Sequence, residues 1–205
     1  MLEARALECL RGHRRLFRNL SFAIRPGDCF ELRGANGSGK TSLLRMLCGL
    51  LPPESGAILW HGEPINMQRQ AYLSSVTYIG HRCAVKDEMT TLENLLVSSA
   101  LGGVELAPTE AQHALECLQL QDHKHLHARH LSEGQRRRLA LARLVNCRRA
   151  LWLLDEVMTS LDAASGRSIA TLIDDHLSRG GMAVIATHQE LKLSSCLSHR
   201  IDLAA

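Results

Sequence analysis

No apolar run in this sequence is long enough to cross a bilayer. The longest, Ala150 to Leu154 and Met182 to Ala186, span five residues each, against the roughly 20 that a membrane helix needs. The opening Met1-Leu2-Glu3-Ala4-Arg5 carries charge early with no apolar stretch behind it, which predicts a soluble chain without a secretory signal. A large charge excess is missing too: 24 Lys and Arg against 21 Asp and Glu leave a formal net charge of +3. A dedicated nucleic-acid binder carries a larger basic surplus, so that class is excluded. The seven cysteines, Cys9, Cys29, Cys48, Cys83, Cys117, Cys147 and Cys196, contain no CxxC pair. An odd, scattered set predicts reduced and mostly buried thiols in place of disulfides or a zinc site. Internal repeats and low-complexity tracts are absent as well.

What remains is the composition of one globular domain, 205 residues with 45% apolar side chains. Leu2 to Cys9 and Leu20 to Ile24 alternate apolar with polar residues, predicting two half-exposed strands. The turn Arg25-Pro26-Gly27-Asp28 leads into a strand at Cys29 to Arg33, a glycine-rich loop, and a helix from about Lys40 through Leu47. Further strands follow at Ala57 to Trp60 and Val76 to Ile79. From Cys83 to Asn146 the pattern is helical, with Thr109 and Gln112 placed as a capping box and Ala111, Ala114, Leu115 and Leu118 on one face. Ala150 to Leu154 and Met182 to Ala186 are apolar on both faces, and between them Asp162 is placed to cap a helix carrying Ile169, Leu172, Ile173 and Leu177. Such strands alternating with helices predict an α/β core with a buried parallel sheet, split by a helical insertion at about residues 84–146.

Gly34-Ala35-Asn36-Gly37-Ser38-Gly39-Lys40-Thr41 fits GxxxxGK[ST] in full, between a strand and a helix as the motif requires. Positions without side chains let the backbone wrap a triphosphate with N–H groups pointing inward. The helix beginning near Lys40 adds its positive dipole end, and Ser42 in its first turn joins the residues from Gly34 to Thr41 as a candidate nucleotide contact. Lys40 is predicted to reach the β- and γ-phosphates and the Thr41 hydroxyl to ligate Mg²⁺. Asp155 and Glu156 end an apolar strand, where ligands of α/β sheets bind. Asp155 is the candidate Mg²⁺ carboxylate, and Glu156 the candidate base for an attacking water.

Leu131-Ser132-Glu133-Gly134-Gln135 stands before the basic helix Arg136 to Arg143. With these residues the chain resembles the ABC ATPase family, whose LSGGQ signature lies between its two Walker motifs. Ser160-Leu161-Asp162 resembles the family's D-loop, and His188 its switch histidine. The guanine-reading NKxD of GTPases is absent. The resemblance implies a P-loop NTPase with a RecA-like sheet, an N-terminal antiparallel β portion and a helical subdomain. It further implies that two copies sandwich ATP, with Ser132, Gly134 and Gln135 of one facing the phosphate loop of the other and Asp162 among the nucleotide-binding residues. His188 would contact the γ-phosphate and the water held by Glu156.

The family's Q-loop glutamine is replaced by His81, which by resemblance would reach a metal-bound water. Arg11 stands where an aromatic ring usually stacks on adenine; a guanidinium plane also stacks. Val157 replaces a proline after the Walker B acids, and Glu133 the first signature glycine. Within the family the chain most resembles the ATP-binding subunits of cytochrome c maturation (haem exporter) systems. The grounds are its short length, Leu59-Trp60-His61-Gly62-Glu63-Pro64-Ile65, Ile79-Gly80-His81, Thr91-Leu92-Glu93-Asn94-Leu95 and Thr187-His188-Gln189. That resemblance implies integral membrane partners, a peripheral place on the cytoplasmic face of a bacterial inner membrane, and no lipid insertion or nucleic acid. ATP turnover would drive haem export or release of a haem-loaded chaperone. The alternatives are the ATPase of another small ABC transporter, a soluble ABC protein, and a non-hydrolysing scaffold. His123, His125, His127 and His130 are read as a polar loop, with binding of a metal or haem iron as the alternative.

Overall fold

Two long strands open the chain, β1 at Leu2–Arg11 and β2 at Arg14–Ile24. Both run further than the alternation predicts, because the hairpin tip is exposed and charged and needs no apolar face there. Gly12 takes φ +61° in the two-residue turn that brings Arg11 opposite Arg14. The strands that follow are β3 Cys29–Arg33, β4 Ser55–Trp60, β5 Glu63–Pro64 and β6 Val76–Ile79. β7 Leu151–Asp155, β8 Met182–Ala186 and β9 Ser198–Asp202 complete the set. The helices are α1 Lys40–Leu47, α2 Arg69–Ser74, α3 Thr91–Leu101, α4 Pro108–Cys117, α5 Glu133–Ala142 and α6 Ala163–Ser178. This computed structural model describes residues 1–159, 161–188, 193 and 198–203.

The chain divides into two compact units. The first comprises Met1–Gly80, Arg149–Glu156 and Asp174–Ala205, the second His81–Arg148 and Val157–Ile173. The first unit holds both sheets: an antiparallel one in the order β2-β1-β4-β5 and a five-stranded one in the order β6-β7-β8-β3-β9. Every pair in the larger sheet is parallel. The fold is therefore α/β with a parallel sheet and an antiparallel portion that starts at the N-terminal strands. β7 and β8 are buried along their whole length, as continuous apolar strands covered on both faces must be. Leu43, Leu44, Met46 and Leu47 of α1 join the core with Leu2 and Leu7 of β1 and with Leu151, Leu153 and Val184 of the parallel sheet.

Alternation does not reveal β9, an edge strand whose His199 and Arg200 are exposed. The predicted cap of α4 is shifted. Ala107 is the N-cap, its backbone N–H donates to Glu110 Oε2 at 2.8 Å, and Pro108 takes the first helical position. Thr109 and Gln112 thus lie inside the helix. Six cysteines fall among the described residues, and all six are free thiols; Cys9, Cys29 and Cys48 are buried, while Cys117 is exposed. Cys196 lies outside the described residues, as do Ser160 and Gln189. No helix among the described residues is long and apolar enough to cross a membrane.

On one face of β7, Trp152 stacks on the His176 imidazole of α6 with centroids 3.8 Å apart and planes 3° from parallel. His176 is buried, and its Nε2 lies 3.1 Å from the Met182 carbonyl, to which the neutral ring donates. A Cβ on Gly181 would fall 2.2 Å from the ring, so only glycine leaves room for it. Burial is the main reason the His176 pKa is lowered from 6.5 to about 4; the Met182 hydrogen bond opposes the shift and the charge of Arg179 adds to it. Between pH 6.5 and 4 the unfolded chain therefore binds one more proton than the folded one. Stability is lost as pH falls through that window, by up to about 3 kcal/mol at its acid end. Urea midpoints at pH 7 and pH 5 measure this, and a His176→Phe variant is expected to show a smaller loss than the parent.

Candidate active site

Phosphate-loop geometry follows from the sheet register. β8 lies between β7 and β3, so Ala186 pairs with Leu32 on one side and with Asp155 on the other. The loop after β3 and the acids ending β7 thus emerge at the same C-terminal edge of the parallel sheet, where ligands of such sheets bind. Gly34 opens the loop at φ +146°, and a Cβ there would stand 2.6 Å from Ser38 Oγ and 2.7 Å from the Leu203 carbonyl. Gly39 is the α1 N-cap at φ +108°; a Cβ on it would press within 3.1 Å of the Phe17 ring and 3.2 Å of Leu16. β2 therefore packs directly against the loop. Ala35, Asn36 and Gly37 form its exposed crest, closed by a bond from Ser38 N to the Ala35 carbonyl at 3.1 Å.

Lys40 is buried, and its Nζ donates to the Gly34 and Ala35 carbonyls at 2.8 and 3.2 Å. An ammonium has three donors, so one is left for a phosphate oxygen. Ser38 Oγ is buried without a hydrogen-bond partner among the described residues, an orphan that a phosphate oxygen at the loop would satisfy. Thr41 Oγ1 donates to Asp155, 2.9 Å from Oδ2 and 3.2 Å from Oδ1. A hydroxyl and a carboxylate at this distance are hard oxygen donors of the kind Mg²⁺ takes beside retained waters, so the residues present fit that ion. Ser42 is engaged otherwise: its hydroxyl is hydrogen-bonded to the buried Cys9 thiol, whose pKa burial pushes up.

Glu156 follows Asp155 in the left-handed region, at φ +53°. A glutamate there carries strain of about 1–2 kcal/mol, and it is held by its backbone N–H donating to the Ala186 carbonyl at 2.9 Å. The twist turns its carboxylate toward His188, whose Nε2 lies 3.5 Å from Glu156 Oε1. Lys40, Thr41, Asp155, Glu156 and His188 are thus gathered in the first unit. Sequence reasoning missed Tyr78, whose hydroxyl approaches Asp155 Oδ2 at 3.4 Å. Burial first, then the Asp155 charge, push that hydroxyl above the ordinary phenol range and keep it protonated. Only the pairing of β6 beside β7 places it there. Arg11 is exposed at the hairpin tip, two strand residues beyond the Cys9–Phe17 pair.

The remaining candidates belong to the second unit. Ser132 caps α5 in a capping box: its Oγ accepts from Gln135 N at 3.2 Å, and its own N–H donates to Gln135 Oε1 at 2.8 Å. Gly134 sits in the first turn, where free backbone N–H groups favour an anion. Asp162 Oδ1 accepts from Ser165 N at 2.7 Å and so caps α6, a bond that holds its carboxyl below the usual range. His81 is exposed at the start of this unit. The histidine stretch does not converge. His123 meets Gln135, His127 Nδ1 meets the Glu88 carbonyl, and His130 accepts from Arg129; no cluster of metal-ligand type forms among the described residues.

The family model described as ABC transporter matches residues 17–159. The chain belongs to the ABC transporter family. A relative from Nitrosomonas europaea, named cytochrome c biogenesis ATP-binding export protein CcmA, is 48% identical over 204 residues, covering 100% of this chain and 96% of its own. A protein of the same name from Dechloromonas aromatica is 50% identical over 94% of this chain and 95% of its own. Among solved structures, an ABC transporter ATP-binding protein from Pyrococcus furiosus has a TM-score of 0.83 at 26% identity, covering 97% and 96% of the two chains. The fold is also that of the ATP-binding cassette MJ0796, solved as a dimer with ADP and Pi, at a TM-score of 0.79 and 20% identity, over 92% and 88%. The first unit carries Gly34 to Thr41 with Asp155 and Glu156, and the second Leu131 to Gln135.

Proposed function

We propose that this chain is the Mg²⁺-dependent ATP-hydrolysing subunit of an ABC exporter in c-type cytochrome biogenesis. Its turnover energises export of haem or release of a haem-loaded chaperone. The observation that carries the reading is end-to-end similarity to relatives named for that process, near half identity over essentially both full lengths. The chain works at the cytoplasmic face of a bacterial inner membrane, bound to integral membrane subunits and pairing with a second copy when ATP is present.

In this reading the triphosphate lies along Gly34 to Thr41, and Lys40 turns its free donor to the β- and γ-phosphates. Thr41 and Asp155 would hold Mg²⁺, which when bound would offset the charge of those phosphates. Glu156 takes the proton of the attacking water, and His188 orients that water and the γ-phosphate. Ser132 of the second copy donates its hydroxyl to the γ-phosphate, beside the N–H of Gly134. Arg11 stacks on the base, Asp162 joins the nucleotide contacts, and His81 would lie beside the metal site where the active site links to the membrane subunits.

Deleting the gene from its host is expected to abolish haem-stained c-type cytochromes. A plasmid copy restores them, and a copy carrying Glu156→Gln does not. Normal cytochromes c in the deletion strain would return the chain to the alternative of another small ABC transporter.

A further inference from the structure

One member of the histidine stretch has a task in the signature. His123 ends the short 3₁₀ turn Gln121–His123, half-buried, with Nε2 2.9 Å from Nε2 of Gln135. The Gln135 amide has its orientation set elsewhere, because its Oε1 accepts the Ser132 backbone N–H at 2.8 Å. The atom it turns to His123 is therefore the NH₂, which only donates. A ring nitrogen 2.9 Å from that donor must accept, so the imidazole is neutral and carries its proton on Nδ1. Nδ1 is buried with no hydrogen-bond partner among the described residues. Native folds seldom retain such an orphan, and here the ring gives up one bond while keeping another that leads to the signature serine.

We propose that His123 is a positioning residue for the signature. It fixes the Gln135 amide plane, which fixes the Ser132 backbone and with it the hydroxyl at the tip of α5. The inference rests on the reading that Ser132 faces the nucleotide of a second copy. It assigns His123 no contact with nucleotide, so His123 acts on turnover and leaves nucleotide binding by the phosphate loop of the same chain alone.

Two measurements on the full chain test this. Long-range ¹H–¹⁵N spectra of the histidine rings at neutral pH are expected to show His123 as the Nδ1–H tautomer with a bare Nε2, its signals assigned by their loss in His123→Gln. A protonated Nε2 overturns the proposal without any need for an altered chain to fold. In Mg-ATP turnover, His123→Leu is expected to lower kcat about three- to tenfold, the worth of one lost hydrogen bond, with the nucleotide Kd unchanged. His123→Gln, which can present an acceptor at the same reach, restores kcat. Full turnover in His123→Leu beside a slow Ser132→Ala overturns the positioning role and leaves the signature reading standing. Full turnover in Ser132→Ala removes that reading itself, and the proposal with it.

Discussion

A Glu156→Gln variant is expected to bind ATP as tightly as the parent and to hydrolyse it at least about a hundredfold more slowly, the usual scale for loss of a general base. The amide keeps the size of the carboxylate and its position at the end of β7, so Lys40, Thr41 and Asp155 are undisturbed. What it loses is the ability to take a proton from water, and with it the charge that faces His188 Nε2 at 3.5 Å. Binding and chemistry therefore separate in one substitution. Fluorescent nucleotide titration is expected to give an unchanged Kd, and phosphate release to fall nearly to background. Gel filtration with ATP and Mg²⁺ is expected to show the variant eluting as a dimer, because closure persists when the γ-phosphate stays in place. Turnover close to that of the parent would move the base to another residue. The strain at Glu156 bears on the same point: a left-handed glutamate is kept against a cost of about 1–2 kcal/mol because the twist aims its side chain.

How much of this was legible in the sequence depends on whether a residue acts through its neighbours in the chain or across the sheet. The phosphate loop was legible because glycine and lysine at fixed spacing constrain the backbone locally, and Gly34 and Gly39 do take the positive φ that spacing implies. β7 and β8 were legible because burial on both faces leaves an unbroken apolar run. The hairpin tip was not, since exposed strand ends carry whatever charges suit the surface. The α4 cap was misplaced because the N-cap adopted, Ala107, has no polar side chain to mark it; Glu110 reaching back to its N–H and Pro108 at the first helical position set the start. Tyr78 and His123 were illegible for a different reason. Tyr78 reaches Asp155 because β6 is the strand that pairs with β7, and His123 reaches Gln135 because a short 3₁₀ turn folds back on α5. Neither strand order nor loop path is written in periodicity.

Lys40→Ala is expected to weaken nucleotide binding severely. Its ammonium has one free donor for a charge-assisted bond to phosphate, worth about 1.5–3 kcal/mol, so its loss alone weakens affinity by roughly ten- to 150-fold. A second effect acts in the same direction. Lys40 Nζ also bridges the Gly34 and Ala35 carbonyls, and without it the loop loses the tie that keeps its N–H groups turned inward. Thermal unfolding with and without nucleotide reads this directly. At about a hundredfold excess of Mg-ATP over Kd, the parent gains about 2.7 kcal/mol by linkage, which for a chain of this size raises Tm by roughly 5–10 °C. The variant is expected to show a clearly smaller rise than the parent at the same ATP concentration. A full ligand-induced shift in Lys40→Ala would mean that the nucleotide is held elsewhere, since no loop lacking that cation could bind a triphosphate with undiminished strength.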